Sequence, residues 1–520
     1  MENTIVAWIA LPLFVGFAVY LLPGLARLLA LAVVLGSAGM GLYQITLPSE
    51  LTMQLVDSFG ISLLVNQTSG YFVLLNALVM TAVVLYCWPT QKGAFFYTQV
   101  LILHGSVNAI FVCADFMSLY VALEVIGVSA FLLMVYPRTD RAIWVGLRYL
   151  LISNTAMLFY LLGAILVYKA NQSFAFEGLG NAPKDAIALI FLGLLTKGGI
   201  FVSGLWLPLT HSESDTPVSA MLSGAVIKTG AFPLVRCALL VDEIAPIVQL
   251  FGVATAVMGT SCAILEKDTK RLLAWSTISQ LGFVLVAPAV AGLYALSHGL
   301  AKAMLFLIAG NLPSRRFETL QQSPIRRDLW IGLTIASLSI SGFPLLAGFG
   351  AKALTLQQLD SWQLGVMSVV AIGSAIAFAK FIFLPFASRP EVNKVTGKAA
   401  DRATGKATDR AADRATEIST ADANKSAKTS KPAKNRADAW FGAAMLLLTF
   451  SLLAASGLTL EAYDVSKLLQ SVGTVVVGWI VYLAILQKVT LSLPAAPEKF
   501  EHLMGVMSLV LVVFLWRVAL

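Results

Sequence analysis

Long runs of apolar residues, separated by short polar segments, occupy almost the whole chain. A helix needs about 20 mostly apolar residues to cross a bilayer, and sixteen stretches approach that length. They lie near 4–22, 25–44, 70–87, 96–114, 116–136, 142–168, 186–206, 217–240, 245–265, 272–291, 293–310, 329–358, 363–386, 439–458, 471–488 and 503–519. This pattern predicts an all-α, multi-pass membrane protein. No basic segment precedes the first stretch, which argues against a signal peptide.

Composition excludes several other classes of protein. Of the 520 residues, 58% are hydrophobic and 12% are charged, whereas roughly 25% of residues in a soluble domain are charged. A soluble protein of this size could not bury so much apolar surface. Four cysteines (Cys87, Cys113, Cys237 and Cys262) occur singly, which disfavours a disulfide framework or an iron–sulfur site. The chain contains no P-loop, HExxH or GxSxG motif, so we expect neither a cofactor nor a metal site.

Charge is concentrated in one polar tract, residues 387–438. The tract holds 12 Lys/Arg and 7 Asp/Glu, leaving 24 basic and 21 acidic residues for the rest of the chain. The high pI therefore says little about nucleic acid, and no nucleic-acid partner is expected. The tract repeats Ala-Asp-Arg-Ala-Thr at 400–404 and 412–416 and has no aromatic residue, which predicts a solvated linker.

The distribution of basic loops predicts an orientation. When the spans are numbered alternately, the tract and most basic loops fall on one side, and the 45–69 loop, which has no Lys or Arg, falls on the other. By the positive-inside rule we expect the basic loops and the tract to be cytoplasmic and both termini to face outward. The basic residues on the cytoplasmic side are Lys92, Arg138, Arg141, Lys267, Lys270, Arg271, Arg315, Arg316, Arg326 and Arg327.

Two predicted spans contain proline in their interior. Segment 186–216 includes Pro208, and segment 329–358 includes the sequence Ser341-Gly342-Phe343-Pro344. Proline removes a helical hydrogen bond and clashes with the preceding turn. Broken helices near the bilayer midplane are typical of ion-translocating folds, although a kink or a helix end would leave the same pattern.

Several ionisable residues lie well inside predicted spans, where a charge is costly. Burial disfavours the ammonium form of a lysine and a nearby carboxylate restores it, so a lysine that gains and loses such a partner can relay a proton. Alternatively, each group could merely tie helices together. His211 follows Pro208 and could serve as a proton port, whereas His104 and Asp115 lie nearer span ends and are expected to act as interface or capping groups. The mid-span set is Glu124, Lys197, Lys228, His298, Lys302 and Lys352.

These residues sit in motifs that resemble a known family, the proton-conducting antiporter-like membrane subunits of respiratory complex I and of Mrp-type cation/proton antiporters. The motifs are DFMSLY at 115–120 before Glu124, WLPLTHSESDTP at 206–217, VSAMLSGAVIKTG at 218–230, DTKRLLAWSTISQLG at 268–282, HGLAKAMLFLIAG at 298–310 and SISGFPLLAGFGAK at 339–352. Together they span about 95–386.

The resemblance implies a 14-helix core built from two inverted five-helix repeats, each with one broken helix, followed by about two extra C-terminal spans. It divides the chain into N-terminal spans (1–94), a proton-translocating core (95–386), a cytoplasmic linker (387–438) and C-terminal spans (439–520). It also implies that Glu124 and Lys197 form the first pair, Lys228 the centre of the relay, and Lys352 the exit. Gln280 replaces a histidine common in the family, which weakens any relay role at this position.

The resemblance implies a proton-translocating subunit of a multisubunit assembly in a bacterial inner membrane or an equivalent bioenergetic membrane. The compact core favours an Mrp-type cation/proton antiporter, with Na+ as the exchanged cation. The alternative is an antiporter-like subunit of a complex I-type quinone oxidoreductase, with redox chemistry on other chains. A third class is a stand-alone permease or a structural scaffold. The expected partners are other membrane subunits, protons and lipid.

Overall fold

Most of the described part of the chain is helical. The computed structural model describes residues 2–56, 60–387 and 437–487, together with Gly505, Ser508, Leu509 and Val512. The first helices are α1 (Glu2–Leu21), α2 (Ala26–Ile45), α3 (Gln67–Cys87), α4 (Ala94–Val112), α5 (Phe116–Met134), α6 (Asp140–Asn171), α7 (Lys184–Lys197), α8 (Leu207–Glu213), α9 (Thr216–Met221) and α10 (Lys228–Leu240). They are followed by α11 (Ala245–Leu265), α12 (Thr269–Val286), α13 (Ala291–Ala309), α14 (Phe317–Gln322), α15 (Arg327–Ser341), α16 (Ala347–Gln357), α17 (Ser361–Ile382), α18 (437–456) and α19 (Val465–Val481).

The predicted membrane architecture is confirmed. Among the described residues, thirteen helical segments are long and apolar enough to cross a membrane. The helix α12 and the broken pair α15–α16 coincide with two further predicted spans, so the first fifteen predicted spans all correspond to helices. Most of the sixteenth span and nearly all of the polar tract lie outside the described residues.

The first helix break lies earlier than the sequence pattern indicated. The helix α7 ends at Lys197, and Gly199 follows with a φ of +62°, a left-handed conformation that glycine adopts without strain. A short 3₁₀ turn, Phe201–Gly204, leads into α8. Pro208 lies in the first turn of α8, where no backbone N–H is needed. Placing the break at Pro208 was therefore wrong, because the proline starts a helix and the two glycines end one.

The second break matches its predicted position. The helix α15 ends at Ser341, and Gly342 caps it in a left-handed conformation with a φ of +88°. Pro344 follows in the connection, and α16 begins at Ala347. Each break therefore comes directly after the last turn of a buried helix.

A third irregularity was not predicted. Between α9 and α10, residues Leu222–Val226 form a π-helical turn directly before Lys228. At this place Ile227 donates its backbone N–H to the Leu222 carbonyl, not to Ser223. π-Turns inside helices are frequent at functional sites.

Two short pairs of strands interrupt the helices. Strands β1 (Leu51–Val56) and β2 (Gly60–Val65) form an antiparallel hairpin between α2 and α3. Strands β3 (Ile325–Arg326) and β4 (Phe386–Ala387) pair in parallel. Arg326 also contacts Asp438 at the start of α18, with Nη1 3.2 Å from Oδ1. The chain therefore leaves the described core at Ala387 and re-enters it at 437 near the same residue.

The backbone at the first break packs closely against α10. A methyl group added to Gly230 of α10 would lie 2.2 Å from the backbone nitrogen of Gly198. Small residues of this kind allow membrane helices to pack through their backbones. The break after Lys197 and the helix that carries Lys228 are thus in direct contact.

Candidate functional site

The side chain of Lys197, from α7, packs against the face of α5 that carries Glu124. Gly127 lies one helical turn after Glu124, and a methyl group built on Gly127 would be 3.1 Å from Lys197 Nζ. Lys197 Nζ donates a hydrogen bond of 2.6 Å to Ser153 Oγ on α6. Glu124 is partly buried, and its Oε1 has no hydrogen-bond partner among the described residues. The Glu124 carboxylate is therefore near the Lys197 ammonium group, but its Oε1 is not hydrogen-bonded to that group.

Lys197 and His211 line a common small cavity. The cavity has a volume of about 10 Å³, close to the minimum for a single water molecule. Trp206 forms part of its wall and donates its indole N–H to the Thr196 carbonyl at 2.9 Å. The other lining residues are Tyr149, Leu222, Val226, Ile227 and Thr229. Because Ile227 and Thr229 flank Lys228, the cavity adjoins the segment that holds the central lysine.

His211 is buried at the end of the broken helix. Its Nδ1 has no hydrogen-bond partner among the described residues, and its ring stacks on Phe306 of α13 at a centroid distance of 5.4 Å. Two residues later, Glu213 contacts Arg141 at 3.4 Å and Arg315 at 3.8 Å. His211 therefore lies between the hydrophobic core and a charged end of the bundle.

Lys228 is fully buried and is bound by the π-turn. Its Nζ donates a hydrogen bond of 2.5 Å to the carbonyl of Ser223. In an α-helix that carbonyl would accept the N–H of Ile227, which the π-turn directs to Leu222. The turn thus supplies a backbone acceptor for the lysine side chain.

Lys228 and Lys302 are connected through hydrogen bonds of Ser223, Thr277 and Leu273, in which each lysine donates to a backbone carbonyl. Ser223 Oγ lies 2.8 Å from Thr277 Oγ1 on α12, and Thr277 donates to the Leu273 carbonyl at 2.8 Å. Lys302 Nζ donates to the same carbonyl at 2.9 Å and also contacts Ser276 Oγ. The two lysines are therefore linked through one face of α12.

His298 lies one turn before Lys302 on α13, the helix that packs against the π-turn. Both of its ring nitrogens are buried without hydrogen-bond partners among the described residues. At the next residue, a methyl group built on Gly299 would be 2.4 Å from the Gly224 carbonyl oxygen. This contact packs α13 directly against the turn that binds Lys228.

Aromatic rings and an amide separate Lys302 from Lys352. Lys302 Nζ lies 5.1 Å from the centroid of Phe378, and Lys352 Nζ lies 5.2 Å from that of Phe283. Between them, Gln280 accepts a hydrogen bond from the Tyr294 hydroxyl at 2.5 Å and donates to Ser374 Oγ at 3.1 Å. Gln280 therefore lies between Lys302 and Lys352, and its amide group neither gains nor loses a proton near neutral pH.

Lys352 occupies the second break. Its Nζ donates a hydrogen bond of 2.8 Å to the Ile340 carbonyl. A helix continuing past Ile340 would satisfy that carbonyl from the residue four positions later, which is Pro344 and has no N–H. The break thus provides the acceptor that binds the lysine.

Three buried groups in the spans were missed or misplaced by the sequence interpretation. Arg148 is buried on α6 beside the ring of Trp144, and Arg236 on α10 donates to the Leu64 carbonyl and to Ser69. His104 does not lie near a span end. It is wholly buried in the middle of α4, and its hydrogen-bond partners come mainly from neighbouring helices.

The environment of His104 is a closed polar network. Its ring nitrogens lie 2.9 Å from Asn76 Nδ2 and 2.8 Å from Ser37 Oγ. Asn108 contacts the same three residues, and Trp8 donates to Ser37 at 3.0 Å. The network connects α1, α2, α3 and α4 and is separate from the lysines.

Asp115 behaves as expected of a capping group. Its carboxylate accepts hydrogen bonds from the backbone N–H of Ser118 at 2.7 Å and of Ser62 at 2.8 Å. It therefore caps α5 and fastens the hairpin to it. Among the described residues, no group of three or more His, Cys, Asp or Glu side chains is arranged to hold a metal ion.

The sequence matches a known family over half of its length. Residues 113–377 match the family described as "NADH:quinone oxidoreductase/Mrp antiporter, TM". The chain is 28% identical over 420 residues to the NADH-quinone oxidoreductase subunit N of Desulforudis audaxviator, covering 72% of this chain and 84% of the relative.

Two solved structures have a similar fold. A chain of the Mrp complex from Dietzia sp. aligns with a TM-score of 0.72 and 19% identity, covering 94% of this chain and 98% of that one. A chain of respiratory complex I from Thermus thermophilus aligns with a TM-score of 0.66 and 23% identity, covering 87% and 98%. Both matches extend beyond the motifs quoted from the sequence.

Proposed function

Since this chain belongs to the NADH:quinone oxidoreductase/Mrp antiporter transmembrane family, we propose that it moves protons across a membrane along its buried lysines. The proton enters near His211 and Lys197, passes Lys228 and the His298–Lys302 pair, and reaches Lys352. Glu124 sets the protonation of Lys197 by approaching or leaving it. The driving force comes from partner subunits.

One observation carries this proposal. Four lysines on four different helices are buried, and three of them donate to backbone carbonyls, two at irregular turns. A carbonyl is a neutral acceptor, so a lysine bound to one can lose its proton without leaving an uncompensated anion in the membrane. An ion pair would penalise that loss.

Two assemblies fit this function. The compact core favours an Mrp-type cation/proton antiporter. The alternative, an antiporter-like subunit of a complex I-type quinone oxidoreductase, is favoured by the name of the relative that is 28% identical over 420 residues. Purification in mild detergent distinguishes the two assemblies. Redox subunits with iron–sulfur clusters would accompany the chain in a complex I-type assembly, and small membrane subunits would accompany it in an Mrp-type antiporter.

The relay is tested by proton flux in vesicles that contain the purified assembly. We expect Lys228→Met and Glu124→Gln to lower the flux by roughly a hundredfold, the lower end of what a positioned proton-transfer group contributes. Lys169→Met and Glu177→Gln remove the same charges from exposed positions and should have no effect. Unchanged flux in the first two variants would favour a structural scaffold, and flux from the subunit expressed alone would favour a permease.

A further inference from the structure

A cavity beside Lys352, lined by both polar and apolar residues, is walled partly by α19, a helix beyond the 14-helix core. The cavity has a volume of about 310 Å³, enough for several water molecules. On the core side it is lined by Lys352, Ser341, Gln357 and Ser368. The residues that α19 contributes are Lys467, Gln470, Ser471 and Thr474.

The polar residues of α19 form one face of the helix. Their spacing of three and four residues places them on adjacent turns. Leu469 and Val476 lie on the opposite face, where they are 69% and 41% exposed. This helix has its polar face toward the protein and its apolar face outward, which is the reverse of the pattern in soluble proteins. A helix that lines a water-filled cavity in a membrane requires this arrangement.

Two contacts hold α19 against the core, one at the second break and one on α17. Ser471 donates a hydrogen bond of 2.5 Å to the carbonyl of Gly342, the residue that ends α15. Two turns further along, a methyl group built on Gly478 would be 2.6 Å from Ala375 Cβ, so α19 packs closely on α17 there. The helices α19 and α17 are therefore in contact at the fourth turn of α19, and the cavity lies on the N-terminal side of that contact.

The cavity lies at the end of the bundle expected for an exit. Its wall includes Gln357, the last residue of α16, and Leu359, which belongs to the connection between α16 and α17. The ion pairs of Glu213 and the β3–β4 pair lie at the other end of the spans. Lys352 thus lines a cavity near the end of the spans opposite His211.

We propose that α19 builds a hydrated exit vestibule for the proton carried by Lys352, with the face formed by Lys467, Gln470, Ser471 and Thr474 as its outer wall. The ammonium group of Lys352 gives its proton to a water molecule of the vestibule and returns to the neutral amine. This inference rests on the proposed proton relay for its direction, but the vestibule itself can be tested without transport.

The test uses cysteine substitution in the intact assembly, in vesicles. Of the four cysteines, Cys262 alone is partly exposed and is first changed to serine. Ser471→Cys and Thr474→Cys are compared with Leu469→Cys and Val476→Cys on the opposite face. A membrane-impermeant, cationic methanethiosulfonate reagent reacts with thiolates, which form only where water reaches.

We expect both vestibule cysteines to react about tenfold or more faster than the two controls, a difference of ~1.4 kcal/mol in barrier. We also expect the bulky adduct to stop proton flux. Equal labelling on the two faces would overturn the vestibule, and rapid labelling with unchanged flux would overturn its role as the exit. Failure of the proposed relay would be detected separately, because proton flux would then persist in Lys228→Met whatever the labelling result.

Discussion

Lys352 reaches back across the second helix break and donates to the Ile340 carbonyl at a distance of 2.8 Å. That carbonyl is available because Pro344 has no N–H to offer. Lys228 has an equivalent relationship with Ser223, whose carbonyl loses its usual donor in the π-turn. At both places an irregular backbone turn supplies a neutral acceptor that holds a buried lysine.

Gly127 lets Lys197 approach the Glu124 face of α5. Gly127→Ala would place a methyl group 3.1 Å from Lys197 Nζ, and the flexible side chain would have to move. We expect flux to fall about tenfold, a change of ~1.4 kcal/mol in barrier, with no loss of thermal stability because alanine favours the helix. Gly36→Ala is the control, since no heavy atom lies within 4 Å of its added methyl group. Equal fluxes in the two variants would contradict the role of this contact.

We expect Lys228 to serve transport at the expense of stability. Replacing a buried charge by an apolar side chain of similar volume is often neutral or stabilising, by about 1–4 kcal/mol. We therefore expect Lys228→Met to unfold at the same or a higher temperature in detergent while losing flux. A marked drop in melting temperature would instead indicate that the hydrogen bond to Ser223 is structural.

His104 and His298 should respond oppositely to removal. His104→Ala leaves Asn76 and Ser37 short of partners and should destabilise the protein by about 1–3 kcal/mol, with unchanged flux per folded molecule. His298 makes no side-chain hydrogen bond with the described residues, so His298→Ala should retain stability and lose flux. Melting temperature and flux, measured on both variants, check the pair. A loss of flux in stable His104→Ala would add this network to the route.

The polar tract should be dispensable for folding. Its two ends meet at Arg326, which pairs with Ala387 through β3–β4 and with Asp438 through its guanidinium group. Replacing residues 388–436 by about eight Gly/Ser residues, whose ends average roughly 15 Å apart, should preserve the melting temperature and the flux.

A slightly larger excision provides the matched control. Removing 386–438 also removes Phe386, whose ring stacks on Trp330 at a centroid distance of 4.1 Å, and the carboxylate of Asp438. This variant should melt at a lower temperature than the first. Equal loss in both would mean that the tract itself supports the fold.

Local sequence was sufficient for the spans and for six of the ionisable residues within them, although it missed Arg148 and Arg236. A run of apolar residues long enough to cross a bilayer must form a helix, because no water is available to satisfy its backbone. For the same reason Glu124, Lys197, Lys228, His298, Lys302 and Lys352 were conspicuous as costly groups. Pro344 marked the second break directly, since its missing N–H is a property of the residue itself.

Tertiary structure alone decided how these residues are connected. Pro208 was misleading because a proline ends one helix or starts the next depending on what precedes it, and here Gly198 and Gly199 provide the break. His104 could not be distinguished from a relay group or a cap until Ser37, Asn76 and Asn108 were seen around it. The π-turn at Lys228 and the polar wall of α19 depend on which helices pack together. Hydropathy gives the depth of a side chain in the membrane, but its hydrogen-bond partners come from helices distant in sequence.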